Sequence, residues 1–165
     1  MDEQIKTTAY HEAGHLVAGY VLGLEYHGAT IKPGEGYAGA AYIPLINKMR
    51  YDPDGDEEDY LYWHVLVYYA GPKAVELLNG SPLPPDDPNL DLGRYGSDRF
   101  HVGTIVQSLA GPSEEEQVVL DETAQKETES LLRDNWGAVE AVAAALLERE
   151  TLSTDECKKI LDAFC

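Results

Sequence analysis

The chain has 165 residues, of which 44% are hydrophobic, and a formal net charge of −18. This length and apolar content suit one folded domain with a sizeable core, which we place at residues 1–165. The excess of 30 acidic over 12 basic residues argues against a nucleic acid partner, because phosphate binding needs a basic face. It also disfavours an anionic membrane surface.

The two cysteines, Cys157 and Cys165, both lie near the C-terminus. They form no Cys-x-x-Cys motif and no disulfide framework, which favours a reducing compartment, and we predict a cytoplasmic location. The sequence shows no secretory signal pattern, and no apolar run approaches the roughly 18 residues of a membrane span. We therefore expect neither membrane insertion nor secretion.

The first predicted element is a helix over residues 3–23 that contains the motif His-Glu-x-x-His, from His11 to His15. Residues four apart lie on the same face of a helix, so His11 and His15 can present two imidazoles to one metal ion. Gly14 leaves the helix surface bare beside them, which lets another element pack closely.

The chemistry that this motif favours is that of a catalytic Zn²⁺ site, which keeps one coordination position open for water. The metal lowers the pKa of the bound water, and Glu12 is placed to take its proton as it attacks a carbonyl. The alternative is an ordinary helix with two unrelated histidines, His11 and His15. The apolar residues around the motif argue against it, because burying unpaired polar groups is costly.

Two short extended segments follow, at residues 29–33 and 37–43, and the Gly-rich turn between them predicts a β-hairpin. The second segment contains Gly39, Ala40 and Ala41, whose small side chains leave the backbone accessible. An accessible strand edge can pair with an extended peptide, so we predict that these three residues bind substrate. A purely structural hairpin is the alternative.

The rest of the sequence predicts helices joined by capped turns and by one long proline-rich loop over residues 80–97. An acidic loop, residues 52–59, precedes the next helix. The predicted helices span residues 56–79, 98–109, 113–135, 137–150 and a final segment capped by Ser153. The chain is therefore predicted to be mainly α (α+β), with several helices and one small β-hairpin or sheet.

Two imidazoles do not make a tight zinc site, so a third protein ligand is expected. The acidic and histidine residues downstream leave four candidates: Glu76, Asp91, Asp98 and His101. Asp98 begins a predicted helix, and His101 lies one turn later on the same face. Spacing alone does not choose among the four.

Several segments resemble the peptidase domain of the FtsH-type ATP-dependent zinc metalloproteases. Thr8-Ala9-Tyr10-His11-Glu12-Ala13-Gly14-His15 looks like the start of that domain. The resemblance continues over nearly the whole chain, in Ile31-Lys32-Pro33 through Gly39 and Pro44, in Ala70 to Leu77, in Tyr95-Gly96-Ser97-Asp98 and in residues 131–161.

The resemblance implies a helical, zincin-like metalloprotease fold in which Asp98 is the third zinc ligand, after His11 and His15, with Glu12 as the general base. It also matches Glu76 to an acidic residue of the family, which we expect to hydrogen-bond a ligand histidine from outside the metal shell. The alternative is an ordinary buried glutamate with hydrogen bonds elsewhere. His101, one turn after Asp98, is a candidate for reaching the metal or its water, and a surface or packing role is the alternative.

The sequence departs from the family pattern in several respects. The Gly-Ser-Asp segment that ends at Asp98 is shorter than the family form, and residues 80–97 diverge from the family loop. The sequence contains no Gly-x-x-x-x-Gly-Lys-Ser/Thr phosphate loop, and Pro72-Lys73-Ala74-Val75 replaces the family's Arg-Ala-Ala-Glu. We therefore expect a zinc endopeptidase domain that cleaves unfolded or extended polypeptides. The alternative is a catalytically silent or partner-dependent module that binds or regulates. By resemblance, a homo-oligomer or a separate ATPase is a candidate partner.

Overall fold

The computed structural model of the chain describes residues 2–34, 38–43, 56–84 and 98–165. The helices are α1 (Glu3–Val21), α2 (Glu57–Asn79), α3 (Asp98–Ala110), α4 (Glu114–Asp134), α5 (Trp136–Arg149) and α6 (Thr154–Phe164). The strands are β1 (Gly28–Thr30), β2 (Ala40–Ala41) and β3 (Thr151–Ser153). Within these ranges, no helix combines the length and apolar content that crossing a membrane requires.

Helices α1 and α2 pack side by side at the centre of this arrangement. Their contact is close at Gly14, where a Cβ would lie 2.3 Å from the carbonyl oxygen of Ala70 and 2.8 Å from the Cβ of Ala74. The small side chains at this crossing therefore set the distance between the two backbones. The buried core around it includes Ala9, Ala13, Leu16, Val17, Val67, Val139, Val142 and Leu146.

Helix α2 begins and ends at the residues that its sequence predicts. The side chain of Asp56 accepts a hydrogen bond from the backbone N–H of Glu58 at 2.8 Å, and Gly80 ends the helix in the left-handed conformation, with a φ of 72°. Both are common helix caps. Pro72 lies inside the helix and has no N–H, so the carbonyl of Tyr68 loses its helical hydrogen bond.

The small sheet has the strand order β2-β1-β3, with both pairings antiparallel. The hairpin of β1 and β2 was predicted, but β3 was not. Glu150 ends α5 with a φ of 63°, and its carbonyl accepts a hydrogen bond from the N–H of Ile31 at 2.8 Å. This tight reversal places residues 151–153 beside β1 as the strand β3. The sequence did not predict this strand, because the residues on both sides of it are typical of helices. The prediction of a mainly helical fold with a small sheet is confirmed.

A second buried cluster holds helix α3 against α2 and α4. It contains Val65, Leu66 and Tyr69 of α2, Val102, Ile105 and Val106 of α3, and Ala124 of α4. The position of α3 matters for the site described below, because this helix begins with Asp98. The predicted acidic residues 52–55 and loop residues 85–97, including Asp91, lie outside the described residues.

We expect Gly14→Ala to lower the free energy of unfolding by about 3 kcal/mol, because the added methyl group would overlap the backbone of α2. The matched control is Gly103→Ala in α3, where the added Cβ would meet no side chain or other element of the described residues within 4 Å. That variant should gain about 0.5–1 kcal/mol from its better helix propensity. Urea unfolding of both variants and the wild type checks this, and similar values for the two variants would contradict it.

The stability of the protein should also depend on the protonation of His64. This side chain is 1% exposed, and burial lowers the pKa of its imidazole to about 4. The unfolded chain takes up this proton below about pH 6.5, whereas the folded chain does so only near pH 4. The stability is therefore fully present above pH 6.5 and is lost as the pH falls towards 4.

We expect this linkage to cost about 2 kcal/mol between pH 7 and pH 5. The measurement is the free energy of unfolding at both pH values for the wild type and for His64→Gln, whose side chain does not titrate. The difference between the two proteins isolates His64 from the other titrating groups. An equal loss in both would assign the acid sensitivity to other residues.

Candidate metal centre

His11 and His15 project from the same face of α1 because they are one helical turn apart. Their Nε2 atoms are 3.0 Å from each other, and the two rings meet edge to face, with centroids 4.7 Å apart. Helix α1 starts at a capped turn, where the side chain of Asp2 accepts a hydrogen bond from the N–H of Gln4. Because α1 runs from Glu3 to Val21, the motif lies in the interior of the helix, where the helical geometry is regular.

Asp98, the first residue of α3, brings a carboxylate to this pair of rings. Its Oδ2 lies 3.0 Å from Nε2 of His11 and 3.1 Å from Nε2 of His15. In the part of the chain that the structure describes, these three residues are the only His, Cys, Asp or Glu group gathered closely enough to hold a metal ion. Three donors of a tetrahedral zinc site lie roughly 3.4 Å apart, so a slight expansion fits the ion.

Hydrogen bonding alone does not satisfy this triangle of donors. Both Nε2 atoms can donate to Oδ2 of Asp98 only if each carries a proton. In that state neither Nε2 atom has a lone pair that could accept a hydrogen bond from the other, although the two nitrogens are 3.0 Å apart. A single cation in the triangle would accept a lone pair from each of the three atoms. The donor set, two imidazoles and one carboxylate, is one that zinc takes in catalytic sites.

The backbone carbonyl of Val67 in α2 orients one of these rings. It accepts a hydrogen bond from Nδ1 of His15 at 2.7 Å. This bond places a proton on Nδ1, so Nε2 of His15 can present its lone pair to the metal position. By contrast, Nδ1 of His11 is buried, and no described residue bonds to it.

Gly71 of α2 lies directly against both imidazoles. A Cβ at this position would be 2.5 Å from Nε2 of His15 and 2.6 Å from Nε2 of His11. Any side chain here would therefore occupy the space in which the two ring nitrogens converge. The candidate metal site therefore needs a residue without a side chain at position 71 as much as it needs the three donors.

The electrostatics of the three donors are tightly coupled. Burial alone would raise the pKa of Asp98, but the imidazoles of His15 and His11 outweigh it and hold that pKa well below its usual range. Burial would lower the pKa of His15, but the carboxylate of Asp98 outweighs it and raises the pKa to about 9. Without a metal the cluster is thus held by an imidazolium–carboxylate pair, and a metal ion must displace that proton.

Glu12 lies beside this cluster and is not one of the three donors. Its side chain is only 6% exposed, and burial raises the pKa of its carboxyl, while the nearby His11 and His15 act in the opposite direction. The backbone N–H of Ala41 in β2 also interacts with this carboxyl. A Cβ at Gly39 would lie 3.1 Å from the Cγ of Glu12, so the second strand runs close to it.

The predicted substrate residues are found along this strand. Ala40 and Ala41 form β2, which lies at one edge of the sheet, and Gly39 precedes it. Tyr42 donates its N–H to the carbonyl of Gly28 at 3.0 Å, so the backbone polar groups of Ala41 face away from β1. They face the side on which Glu12 lies. Their binding of a peptide stays a prediction.

The structure does not bring Glu76 to the histidines, which corrects the expectation that it bonds one of them. Its Oε2 accepts a hydrogen bond from Nζ of Lys73 at 2.7 Å, and its Oε1 accepts one from the N–H of Leu83. The carbonyl of Val67 has the expected role instead. Glu76 therefore joins the C-terminal part of α2 to the segment that follows it.

His101 stacks on Tyr68 of α2, with ring centroids 4.8 Å apart and an interplanar angle of 14°. It is not one of the three gathered donors, and its contact with the metal or its water stays a prediction. Sequence reasoning did not single out Val67, Gly71 or Tyr68. A Gly-Pro pair inside a long predicted helix was the available signal that α2 has a special function at this point.

The site is that of a helical domain with a His-Glu-x-x-His motif and a carboxylate third donor. No protein-family model matches the chain. It is similar to ATP-dependent zinc metalloprotease FtsH of Acidimicrobium ferrooxidans, with 28% identity over 98% of this chain and 28% of that protein. It is similar at 26% identity to FtsH 4 of Sorangium cellulosum, over 97% of this chain and 29% of that protein.

A further relative is the mouse mitochondrial inner membrane m-AAA protease component AFG3L2, with 26% identity over 96% of this chain and 22% of that protein. The resemblance to FtsH-type zinc metalloproteases is therefore confirmed over nearly the whole chain. The chain itself spans less than a third of the length of each of these relatives.

Gly71→Ala should weaken zinc binding at least tenfold, because the added methyl group pushes both imidazoles away from their shared position. The matched control is Gly137→Ala in α5, whose Cβ would contact, among the residues that the structure describes, only Phe164, at 3.8 Å. Competition with a chromophoric chelator measures the affinity of each protein for Zn²⁺. Equal affinities for the two variants would show that Gly71 does not define the metal position.

Proposed function

We propose that this chain is a zinc-dependent endopeptidase domain that hydrolyses peptide bonds in unfolded or extended polypeptides. The observation that carries the proposal is the convergence of His11, His15 and Asp98 on one point, with the buried carboxyl of Glu12 beside it. The names of the two bacterial relatives, both zinc metalloproteases, support the same metal and reaction class, and the mouse relative is named as a protease component.

The three donors would hold Zn²⁺ through Nε2 of His11, Nε2 of His15 and a carboxylate oxygen of Asp98. When bound, zinc supplies a Lewis acid that polarises a substrate carbonyl and makes water more acidic. Val67 keeps the proton of His15 on Nδ1, so that Nε2 stays available as a ligand. Gly71 leaves the space that the ion needs.

Glu12 acts as the general base in this proposal. It takes a proton from the attacking water and delivers that proton to the nitrogen of the leaving amine. Its burial raises the carboxyl pKa towards the operating pH, which favours a group that must both accept and release a proton. Its place next to His11 in the motif puts it beside the metal without making it a ligand.

The edge strand β2 holds the substrate. Because the backbone groups of Ala41 face away from β1, an extended peptide can add to this edge as a further strand. Such pairing selects for extended backbone and tolerates many side chains, since the bonds are made by the main chain. The small residues Gly39, Ala40 and Ala41 let the peptide approach closely to Glu12.

A reducing compartment such as the cytoplasm suits the two cysteines. Cys157 is buried and Cys165 is exposed, and neither forms a disulfide. Burial raises the pKa of the Cys157 thiol to about 11, so it reacts slowly at neutral pH. The proposed location rests on these thiols and on the lack of a disulfide framework.

Glu12→Gln should lower the rate of casein hydrolysis by the zinc-loaded protein at least 10²-fold and leave the zinc content unchanged, because the general base is lost while the ligands remain. The matched control is Glu3→Gln, an exposed glutamate in the first turn of the same helix. It should retain wild-type activity. The rates come from fluorescent casein and the zinc content from atomic absorption.

Activity of the wild type and Glu3→Gln, with none in Glu12→Gln, would support the peptidase. If none of the three cleaves casein although all hold zinc, independent endopeptidase activity is contradicted. The domain would then act as a binding or partner-dependent module. The ATP-dependence in the names of its relatives would make an ATPase the first partner to add to the assay.

A further inference from the structure

The third donor, Asp98, lies on α3, and α3 makes few contacts with α1, the helix that carries His11 and His15. Helix α3 packs against α2 and α4. Among the described residues, the hydrogen bonds that join α3 to α1 are those of Asp98 to His11 and His15. The direction of the Asp98 carboxylate must therefore be set by the contacts that α3 makes with its other neighbours.

Arg99, the residue after Asp98, is held by a chain of hydrogen bonds across three helices. Its guanidinium donates to the hydroxyl of Tyr69 at 3.2 Å and lies 5.8 Å from the centroid of the same ring. The hydroxyl of Tyr69 donates to Oδ1 of Asp121 in α4. The other oxygen of Asp121 accepts from Nε2 of Gln125 at 2.9 Å.

A second contact holds α3 one turn further on. His101 stacks almost parallel on Tyr68, the neighbour of Tyr69 in α2. Two adjacent tyrosines of α2 thus contact Arg99 and His101, which both follow Asp98 within the first turn of α3. Apolar packing fixes the depth at which α3 sits, whereas directional hydrogen bonds and ring stacking also fix its rotation about its own axis.

We propose that Tyr69, through its hydrogen bonds to Arg99 and Asp121, is a positioning residue for the metal donor Asp98, and that the stack of Tyr68 on His101 assists it. The inference rests on the proposed function, since it concerns the same metal site. Tyr69 is 4% exposed, and its buried hydroxyl both accepts and donates a hydrogen bond. This fully bonded hydroxyl turns the start of α3 so that one carboxylate oxygen faces both histidines.

The chain provides a matched control for this role. Tyr62 is also on α2, and its hydroxyl donates to Oε2 of Glu127 in α4 at 2.8 Å. This bond joins the same two helices but involves no residue of α3. If a tyrosine–carboxylate bond between α2 and α4 merely stabilised the fold, Tyr69→Phe and Tyr62→Phe would have the same effect on the metal site.

The test compares Tyr69→Phe and Asp121→Ala with Tyr62→Phe and Glu127→Ala. Zinc affinity is measured by chelator competition, and the geometry of the site by the visible absorption of the Co²⁺-loaded protein. We expect Tyr69→Phe and Asp121→Ala to weaken zinc binding about tenfold, as loss of an outer hydrogen bond does at metal sites, and to alter the Co²⁺ spectrum. The Tyr62 and Glu127 variants should match the wild type in both.

Equal zinc affinity and an unchanged Co²⁺ spectrum in Tyr69→Phe and Asp121→Ala would overturn the inference while leaving the proposed function intact. The same loss in the Tyr62 and Glu127 variants would also overturn it, because the effect would then be one of general stability. A wild-type chain that binds no zinc would overturn the proposed metal site and the inference with it. Asp121→Ala repeats the test without any change to the buried tyrosine.

Discussion

The close approach of α1 and α2 is the constraint on which the site depends. Gly14 of α1 lets the backbone of α2 approach closely at Ala70. Gly71 of α2 in turn leaves room for the two imidazoles of α1. Because the helices are this close, the carbonyl of Val67 reaches Nδ1 of His15 at 2.7 Å. With larger side chains at the crossing, the histidine would lose its orienting partner and the metal position would be filled. The contact thus serves both packing and chemistry.

Burying charged and polar groups at this crossing carries a large desolvation cost. Partners offset part of this cost: Asp98 faces two imidazoles and His15 is bonded at both nitrogens, whereas Nδ1 of His11 has no bonding partner among the described residues. Glu12 has a backbone N–H and the neighbouring rings as partial compensation. That an acid is kept there, although burial disfavours its charged form, agrees with a chemical role better than with a structural one.

The parts of the fold and site that follow from local rules were predictable from sequence. The spacing of His11 and His15 on one helix face needs only the helical period. The ends of α2 at Asp56 and Gly80 need only cap chemistry. Asp98 is different: it is 87 residues from His11, and only the family resemblance chose it from the four candidate ligands.

What sequence reasoning missed depends on contacts between elements. The strand β3 forms because Glu150 reverses the chain beside β1, and no periodicity reveals such pairing in three residues. The orienting group for His15 is a backbone carbonyl, which every residue has, so the sequence suggested the side chain of Glu76 instead. Gly71 acts through the lack of a side chain, and its effect is visible only when two helices are placed together.

The long separation of Asp98 from the motif has a consequence for how the chain folds. A metal ion bound by His11 and Asp98 would close a loop of 87 residues. A covalent link closing a loop of that size removes about 4–5 kcal/mol of chain entropy from the unfolded state. The two histidines lie on one helix and can come together early, whereas the carboxylate can join them only once most of the helices have assembled. The ion would then join these two distant parts of the chain late in folding and stabilise the fold after the helices have packed.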